Sequence, residues 1–396
     1  MEINEAFYQS GLAQTTWCPS GIEIVSAKGI YLYDRSGKRY TDLISGVGVS
    51  SLGHGNDYII KALHAQIDKH LHVQVYGEFI QDAQRRAAVN LTSFLPASLN
   101  CCYFVNSGAE AIEASMKLVK RITGRANIIS FEGAYHGNTQ GAMSISANEW
   151  RKQAFRPLLP GVSFIRLNEM DDLEKIDATT AAVFLESVQG DAGVRIPSID
   201  FMRALRFQCD KMGTMLVLDE IQCGIGRTGK FCAFENFGIV PDILVLGKAL
   251  GGGLPVGCLV TSRERMSCFA AQPMLGHIST FAGHPLVCAA VDASLNYMND
   301  HHIINNVEIK GRMIAKRLGA MKGVVSVRQL GLFIAVDMDG AETVSRIIDK
   351  CLSEGIVIFR FLSCPSSFRI APPLIISEEE IIESMDKLEF CLNSIL

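Results

Sequence analysis

Met215-Leu216-Val217-Leu218-Asp219-Glu220 is the stretch on which the fold turns. Its apolar run is too short for a core helix and ends in carboxylates, so it reads as a buried strand with a polar exit. Working outward, Ile243-Leu244-Val245-Leu246-Gly247-Lys248 repeats the pattern with a lysine at the exit. Cys101-Cys102-Tyr103-Phe104-Val105 and residues 127–130, 181–185 and 256–260 read as further strands, and helical stretches lie between several of them, notably over 198–212. Continuous apolar strands alternating with helices predict an α/β fold: a mostly parallel sheet covered on both faces. In such sheets ligands bind beyond the carboxyl ends of the strands.

Beyond residue 285 the pattern changes to helices over 285–299 and 306–321, strands over 324–327 and 332–337, a helix over 341–353 and a strand over 356–359. This predicts a smaller α+β unit. Near the N-terminus, Gly29–Asp34 and Ser36–Tyr40 resemble a hairpin turning at Ser36-Gly37. The expected organisation is a large domain over 49–285 and a small domain over 286–396, with the N-terminal segment 1–48 packing beside the latter.

Hydrophobic residues make up 48% of the 396 and charged residues 20%, which excludes wholesale disorder. The net charge of −4 gives no reason to expect nucleic acid or an anionic membrane as a partner. No apolar run approaches the roughly 18–20 residues that span a bilayer. Met1-Glu2-Ile3-Asn4-Glu5 lacks the features of a secretory signal. The 12 cysteines are scattered, with no C-x-x-C spacing, and read as reduced thiols. A cytoplasmic protein is expected.

Two tempting motifs do not hold. Gly224-Ile225-Gly226-Arg227-Thr228-Gly229 matches the dinucleotide-binding glycine string, but it neither directly follows a strand nor opens a helix. His70 and His72 lie two apart, a poor zinc spacing, so no metal is expected.

Asn106-Ser107-Gly108-Ala109-Glu110 sets a polar turn between a strand and a strong helix. That helix has Glu110 and Glu113 near its start and Lys117, Lys120 and Arg121 near its end, matching the macrodipole, with Glu113 and Lys117 spaced as an i,i+4 pair. A helix N-terminus at a strand's carboxyl end can hold a phosphate. An amine (Lys248), a carboxylate (Asp219) and a phosphate cradle at neighbouring strand ends point together to pyridoxal phosphate. A buried Lys–Asp ion pair would also account for the amine and the carboxylate.

Further motifs carry a resemblance. Leu218-Asp219-Glu220-Ile221-Gln222-Cys223-Gly224-Ile225-Gly226-Arg227-Thr228-Gly229 is followed by Pro241-Asp242-Ile243 and Lys248-Ala249-Leu250-Gly251-Gly252-Gly253. Ser51-Leu52-Gly53-His54-Gly55, Tyr135-His136-Gly137, Ser279-Thr280-Phe281 and Phe368-Arg369-Ile370-Ala371-Pro372-Pro373-Leu374 stand in the same order. The chain resembles, over nearly its whole length, the class III pyridoxal-phosphate-dependent aminotransferases of the acetylornithine/ornithine group, which implies fold type I, the aspartate-aminotransferase-like fold.

The resemblance implies that Lys248 forms the Schiff base and that Asp219 partners the pyridinium nitrogen. Ser107, Gly108 and Ala109 would bind the phosphate, Tyr135 would stack on the ring with His136 beneath it, and Gln222 would sit near the phenolic oxygen. Thr280 would reach the phosphate of a neighbouring subunit's cofactor, which implies a homodimer with shared active sites. Arg369 would grip a substrate carboxylate, and Glu186 would pair with Arg369 when no carboxylate lies there.

One departure stands out. Enzymes of this group carry arginine after the aromatic-His-Gly motif to bind the donor's carboxylate, whereas here Asn138 follows Gly137. Asp191 also stands where glutamate is usual. The implied reaction moves an amino group from a terminal-amine donor, such as N-acetylornithine or ornithine, to a 2-oxo acid, 2-oxoglutarate. Another ω-amine transaminase or an aminomutase remains open.

Overall fold

The structure, a computed structural model, describes residues 11–16, 19–271 and 273–395. Met1–Glu5, read above for a secretory signal, lies outside the described residues. Three strands open the chain: β1 (Ile24–Lys28), β2 (Tyr31–Asp34) and β3 (Arg39–Asp42). The central sheet follows, with β4 (Cys101–Val105), β5 (Asn127–Phe131), β6 (Val162–Ile165), β7 (Thr180–Glu186), β8 (Met215–Asp219), β9 (Ile243–Gly247) and β10 (Gly257–Thr261). Its order is β4-β10-β9-β8-β7-β5-β6.

The run β9-β8-β7-β5-β6 is parallel throughout. Every residue of β7 and β9 is buried, as strands covered on both faces require. β10 differs: the apolar run expected over 256–260 forms a strand that runs antiparallel to both β4 and β9. An apolar run is the same in either direction, so only the connection decides. Here Gly252 and Gly253, both at positive φ, turn the chain straight back beside β9. Gly257 is then obligatory, because a Cβ there would stand 2.0 Å from the Ser107 carbonyl oxygen.

The helix Gly108–Thr123 follows β4. Ser107 caps it through its side-chain oxygen, Gly124 ends it in the left-handed conformation, and Ile112, Met116 and Val119 are buried on its inner face. The expected Glu113–Lys117 pair does not form. Glu113 Oε1 accepts from the Thr139 hydroxyl at 2.6 Å and the Gly141 N–H at 2.9 Å, which caps the next short helix. Lys117 Nζ donates instead to the Gly276 carbonyl at 2.6 Å. Orphan helix N–H groups and a backbone carbonyl outcompete an exposed ion pair worth only about 0.3–0.5 kcal/mol.

The remaining strands are β11 (Ser326–Leu330), β12 (Phe333–Asp337), β13 (Ile356–Val357), β14 (Phe359–Arg360) and β15 (Ser367–Ile370). They form a second sheet, β11-β12-β15-β14, while β13 leaves it to pair parallel with β3 in a third, β1-β2-β3-β13. The single strand expected over 356–359 is therefore divided between two sheets. Helices Val307–Gly319, Ala341–Ser353 and Glu378–Asn393 cover this part. Its core joins Ile30 and Leu43 to Val307, Ile334 and Leu388.

The glycine string 224–229 lies in turns and opens no helix. Arg227 within it is almost fully buried and donates to the carbonyls of Leu332 and Pro372 and to the Ser51 hydroxyl. Three segments far apart in sequence are thereby tied together.

Candidate active site

The carboxyl ends of the parallel strands surround a cavity of about 460 Å³. Asp219 closes β8, Lys248 follows β9, and Ser107 leads from β4 into its helix. At the end of β8 the adjacent carboxylates Asp219 and Glu220 point to opposite sides. Asp219 lines the cavity, whereas Glu220 turns into the protein and accepts from the N–H groups of Ala233 and Phe234, both at 2.6 Å.

Asp219 is fixed at both oxygens. Oδ2 lies 2.7 Å from His136 Nδ1, and Oδ1 accepts from the Ile221 N–H at 3.0 Å. His136 is held in turn by its own N–H, which donates to Ser146 Oγ at 2.9 Å. Lys248 adopts the left-handed conformation at φ 45°, a strained choice for a long side chain. Its amine makes no hydrogen bond or ion pair among the described residues, so the plain Lys–Asp pair is not what the site holds. Burial pushes its pKa below the ordinary lysine value, with Asp219 pulling the other way.

At the cradle, Ser107 Oγ accepts from the Glu110 N–H at 3.1 Å. The Gly108 and Ala109 N–H groups remain as donors of the first turn, and both residues line the cavity. Gly108 packs so closely that a Cβ would stand 2.6 Å from Ile221 Cδ1. Tyr135 and Gln222 line the same cavity and also a smaller one of about 200 Å³ that reaches Arg369. Asn138 sits at the exposed rim. Thr280 is exposed and does not line its own chain's cavity; its neighbour Ser279 accepts from Asn106 Nδ2 at 2.8 Å.

Arg369 lies on β15, buried, with its guanidinium 4.5 Å above the Phe361 ring and its Nε without a partner among the described residues. Burial brings its pKa down to about 10, against the pull of Asp191 and Glu186. The expected Glu186–Arg369 pair is not formed in this structure. Glu186 accepts from the Tyr135 N–H at 3.0 Å and the Gly190 N–H at 2.9 Å, and burial raises its pKa to about 7. The carboxylate beside Arg369 is Asp191, 3.9 Å away, which also accepts from the Leu362 N–H and the Ser363 hydroxyl, each at 2.9 Å. Sequence reading noted Asp191 only as an unusual residue; its spacing from Gln189 was the available signal.

These side chains fit pyridoxal phosphate on the chemistry of the donors alone. They offer helix N–H groups, an oriented carboxylate and an amine unpaired among the described residues, around one cavity of about 460 Å³.

The family described as Aminotransferase class-III matches residues 15–392. The chain is 35% identical over 374 residues to the acetylornithine aminotransferase of Archaeoglobus fulgidus, covering 94% of this chain and 96% of that protein. It is 36% identical to the [LysW]-aminoadipate semialdehyde/glutamate semialdehyde transaminase of Sulfurisphaera tokodaii, covering 87% and 90%. Among solved structures it superposes, with a TM-score of 0.90 and 28% identity, on the taurine:2-oxoglutarate aminotransferase of Bifidobacterium kashiwanohense in complex with PLP and glutamate, covering 98% and 96%. The fold is fold type I, shared with pyridoxal-phosphate-dependent aminotransferases of known structure. The chain belongs to the class III aminotransferases.

Proposed function

We propose that this chain transfers the amino group of a terminal-amine donor of the N-acetylornithine or ornithine type to 2-oxoglutarate. The observation that carries the reading is Lys248: a half-buried amine with no hydrogen bond or ion pair among the described residues, facing a cavity lined by an oriented carboxylate. The names of the relatives, which include acetylornithine aminotransferase, support the donor class.

When bound, pyridoxal phosphate supplies an aldehyde that takes up the amino group and a ring that withdraws electrons from the reacting carbon. Lys248 would hold the aldehyde. Its Nζ, its pKa lowered by burial, would remove the proton from the donor's amine-bearing carbon. In the second half reaction it returns a proton to C2 of the acceptor. Asp219, fixed by His136 and the Ile221 N–H, would keep a proton on the ring nitrogen. Ser107, Gly108 and Ala109 would take the phosphate, Tyr135 would cover the ring, and Gln222 would stand near the phenolic oxygen. Arg369 grips the acceptor's α-carboxylate; Asp191, rather than Glu186, is the partner close enough to neutralise it when no carboxylate is present.

A homodimer with shared sites is part of the proposal, Thr280 reaching the partner's phosphate site. It is supported by apolar side chains around that loop: Ile80 is 93% exposed and Met274 77%, with Phe79, Leu275, Ile278 and Phe281 also exposed. The division into 49–285 and 286–396, with 1–48 on the latter, is supported by the β3–β13 pairing and the core that Ile30 and Leu43 share with Leu388. The free thiols, most of them buried, support a cytoplasmic setting. Among the described residues no helix is long and apolar enough to cross a membrane.

Mixing the holoenzyme with single amines and following the shift from the aldehyde to the amine form of the cofactor tests the reading. N-acetylornithine or ornithine should drive the shift, and 2-oxoglutarate should reverse it. A product formed without any oxo acid would indicate a mutase instead.

A further inference from the structure

Arg369 is buried, yet its guanidinium makes no hydrogen bond among the described residues. It lines the cavity of about 200 Å³ together with Asp191, Leu362 and Lys248. A buried guanidinium beside a buried carboxylate gains most by closing to a hydrogen-bonded pair, at about 2.7–2.9 Å. Arg369 Nη2 and Asp191 Oδ1 instead stand 3.9 Å apart, beyond hydrogen-bond reach.

Two bonds hold Asp191 back. Its Oδ1 accepts from the Leu362 N–H and its Oδ2 from the Ser363 hydroxyl, each at 2.9 Å. Both donors belong to the loop between β14 and β15, the strand that carries Arg369. Ser363 is held in its turn, because its Oγ accepts from Asn148 Nδ2 at 3.1 Å. A serine hydroxyl has one proton to donate, and with Asn148 donating to the oxygen that proton is directed to Asp191. Asn148 occupies the N-cap position of the short helix Glu149–Lys152 but does not cap it. Asparagine is among the best capping residues, so here its side chain serves Ser363 in place of the helix.

We propose that Ser363, oriented by Asn148, is a latch that keeps Asp191 off Arg369. Asp191 then offsets the buried charge from 3.9 Å while the N–H fork of Arg369 stays open to an entering carboxylate. Ser363 and Asn148 are positioning residues that act through Asp191. The inference rests on the aminotransferase reading above in taking that carboxylate to be the acceptor's.

Calorimetric binding of glutarate, which cannot react, to the holoenzyme tests the latch without turnover. In Ser363→Ala the freed Asp191 carboxylate closes on Arg369 and glutarate has to displace it. Binding should weaken about tenfold, the range of one hydrogen bond to a charged group. Asn148→Ala should weaken it in the same direction, by less. Adding Asp191→Asn to Ser363→Ala removes the competing charge and should restore binding. Glutarate bound equally well by Ser363→Ala and wild type overturns the inference. So does a loss that Asp191→Asn leaves in place, which would make Ser363 a brace for its loop and nothing more. Wild-type binding by Asn148→Ala would remove Asn148 from the latch. Amine-driven spectral conversion of the wild type is scored separately. Its absence refutes the aminotransferase reading, whereas its presence beside unaltered glutarate binding in Ser363→Ala refutes the latch alone.

Discussion

His136 Nδ1 stands 2.7 Å from Asp219 Oδ2, with the histidine ring buried beneath the cavity. The carboxylate that faces the cavity is thus aimed by a residue from another strand's exit loop. A carboxylate held on one side by the His136 ring nitrogen and on the other by a backbone N–H keeps its direction. His136→Ala removes one of these constraints. We expect turnover to fall about tenfold to a hundredfold, the value of one charge-assisted hydrogen bond, with little change in overall fold. Steady-state kinetics beside thermal unfolding checks this; unchanged turnover would show that the Ile221 N–H alone suffices.

Arg369→Ala should impair the oxo-acid half reaction far more than cofactor binding. The guanidinium is buried and is oriented by the Phe361 ring and Asp191, so its loss removes a planar, pre-oriented carboxylate fork. Single-turnover measurements of each half reaction, with the cofactor's dissociation constant alongside, make the comparison. Equal losses in both would refute the role given to Arg369.

Gly257→Ala places a Cβ 2.0 Å from the Ser107 carbonyl oxygen, a backbone atom that cannot move without moving the cradle. A destabilisation of about 1–3 kcal/mol and weakened cofactor retention are expected together. The melting temperature and the rate of cofactor release into apo-protein traps report the two effects. A variant of normal melting temperature that still holds the cofactor would show that β10 can shift without disturbing Ser107.

The pH dependence of stability follows from Glu186 and Glu220. Burial raises both to about 7 in the folded chain, against an ordinary value of 4.5. Between those values the folded state binds more protons than the unfolded one, so stability falls as pH rises from about 4.5 through about 7. Carboxyl groups depressed in the folded state, such as Asp337 at about 2, are ionised in both states across this window and contribute no slope. Melting of the cofactor-free protein between pH 5 and 8 should show the decline, and Glu186→Gln should flatten part of it. That variant should also be less stable throughout, because both Glu186 oxygens accept from N–H groups and an amide turns a donor toward one of them. Burial also lowers His277 and His284, which add stability as pH rises through the same window, so the comparison with Glu186→Gln decides: a variant with the wild-type slope would refute this assignment.

The parts of this molecule readable from its sequence are those with local signatures. The apolar runs of β4, β8 and β9 and the polar residues at their exits place Asp219 and Lys248 beside one cavity before any contact is known. The N-cap at Ser107 and the stop at Gly124 are equally local. What escaped depends on chain segments that meet only in three dimensions. β15 reads Ser-Phe-Arg-Ile, and an arginine in four residues argues against a buried strand until the cavity that receives it is known. Asp191 and Arg369 are far apart in sequence, as are Arg227 and its acceptors at Leu332 and Pro372. The direction of β10 is set by Gly252 and Gly253, whose positive φ leaves no trace in the hydrophobic pattern.

Reduction of the holoenzyme with borohydride, followed by proteolysis and mass spectrometry, tests the central assignment most directly. The account predicts loss of the visible band and the cofactor's mass on a single peptide, at Lys248, with Lys248→Ala left unmodified and inactive. The cofactor fixed to any other lysine, or full turnover by Lys248→Ala, would contradict it.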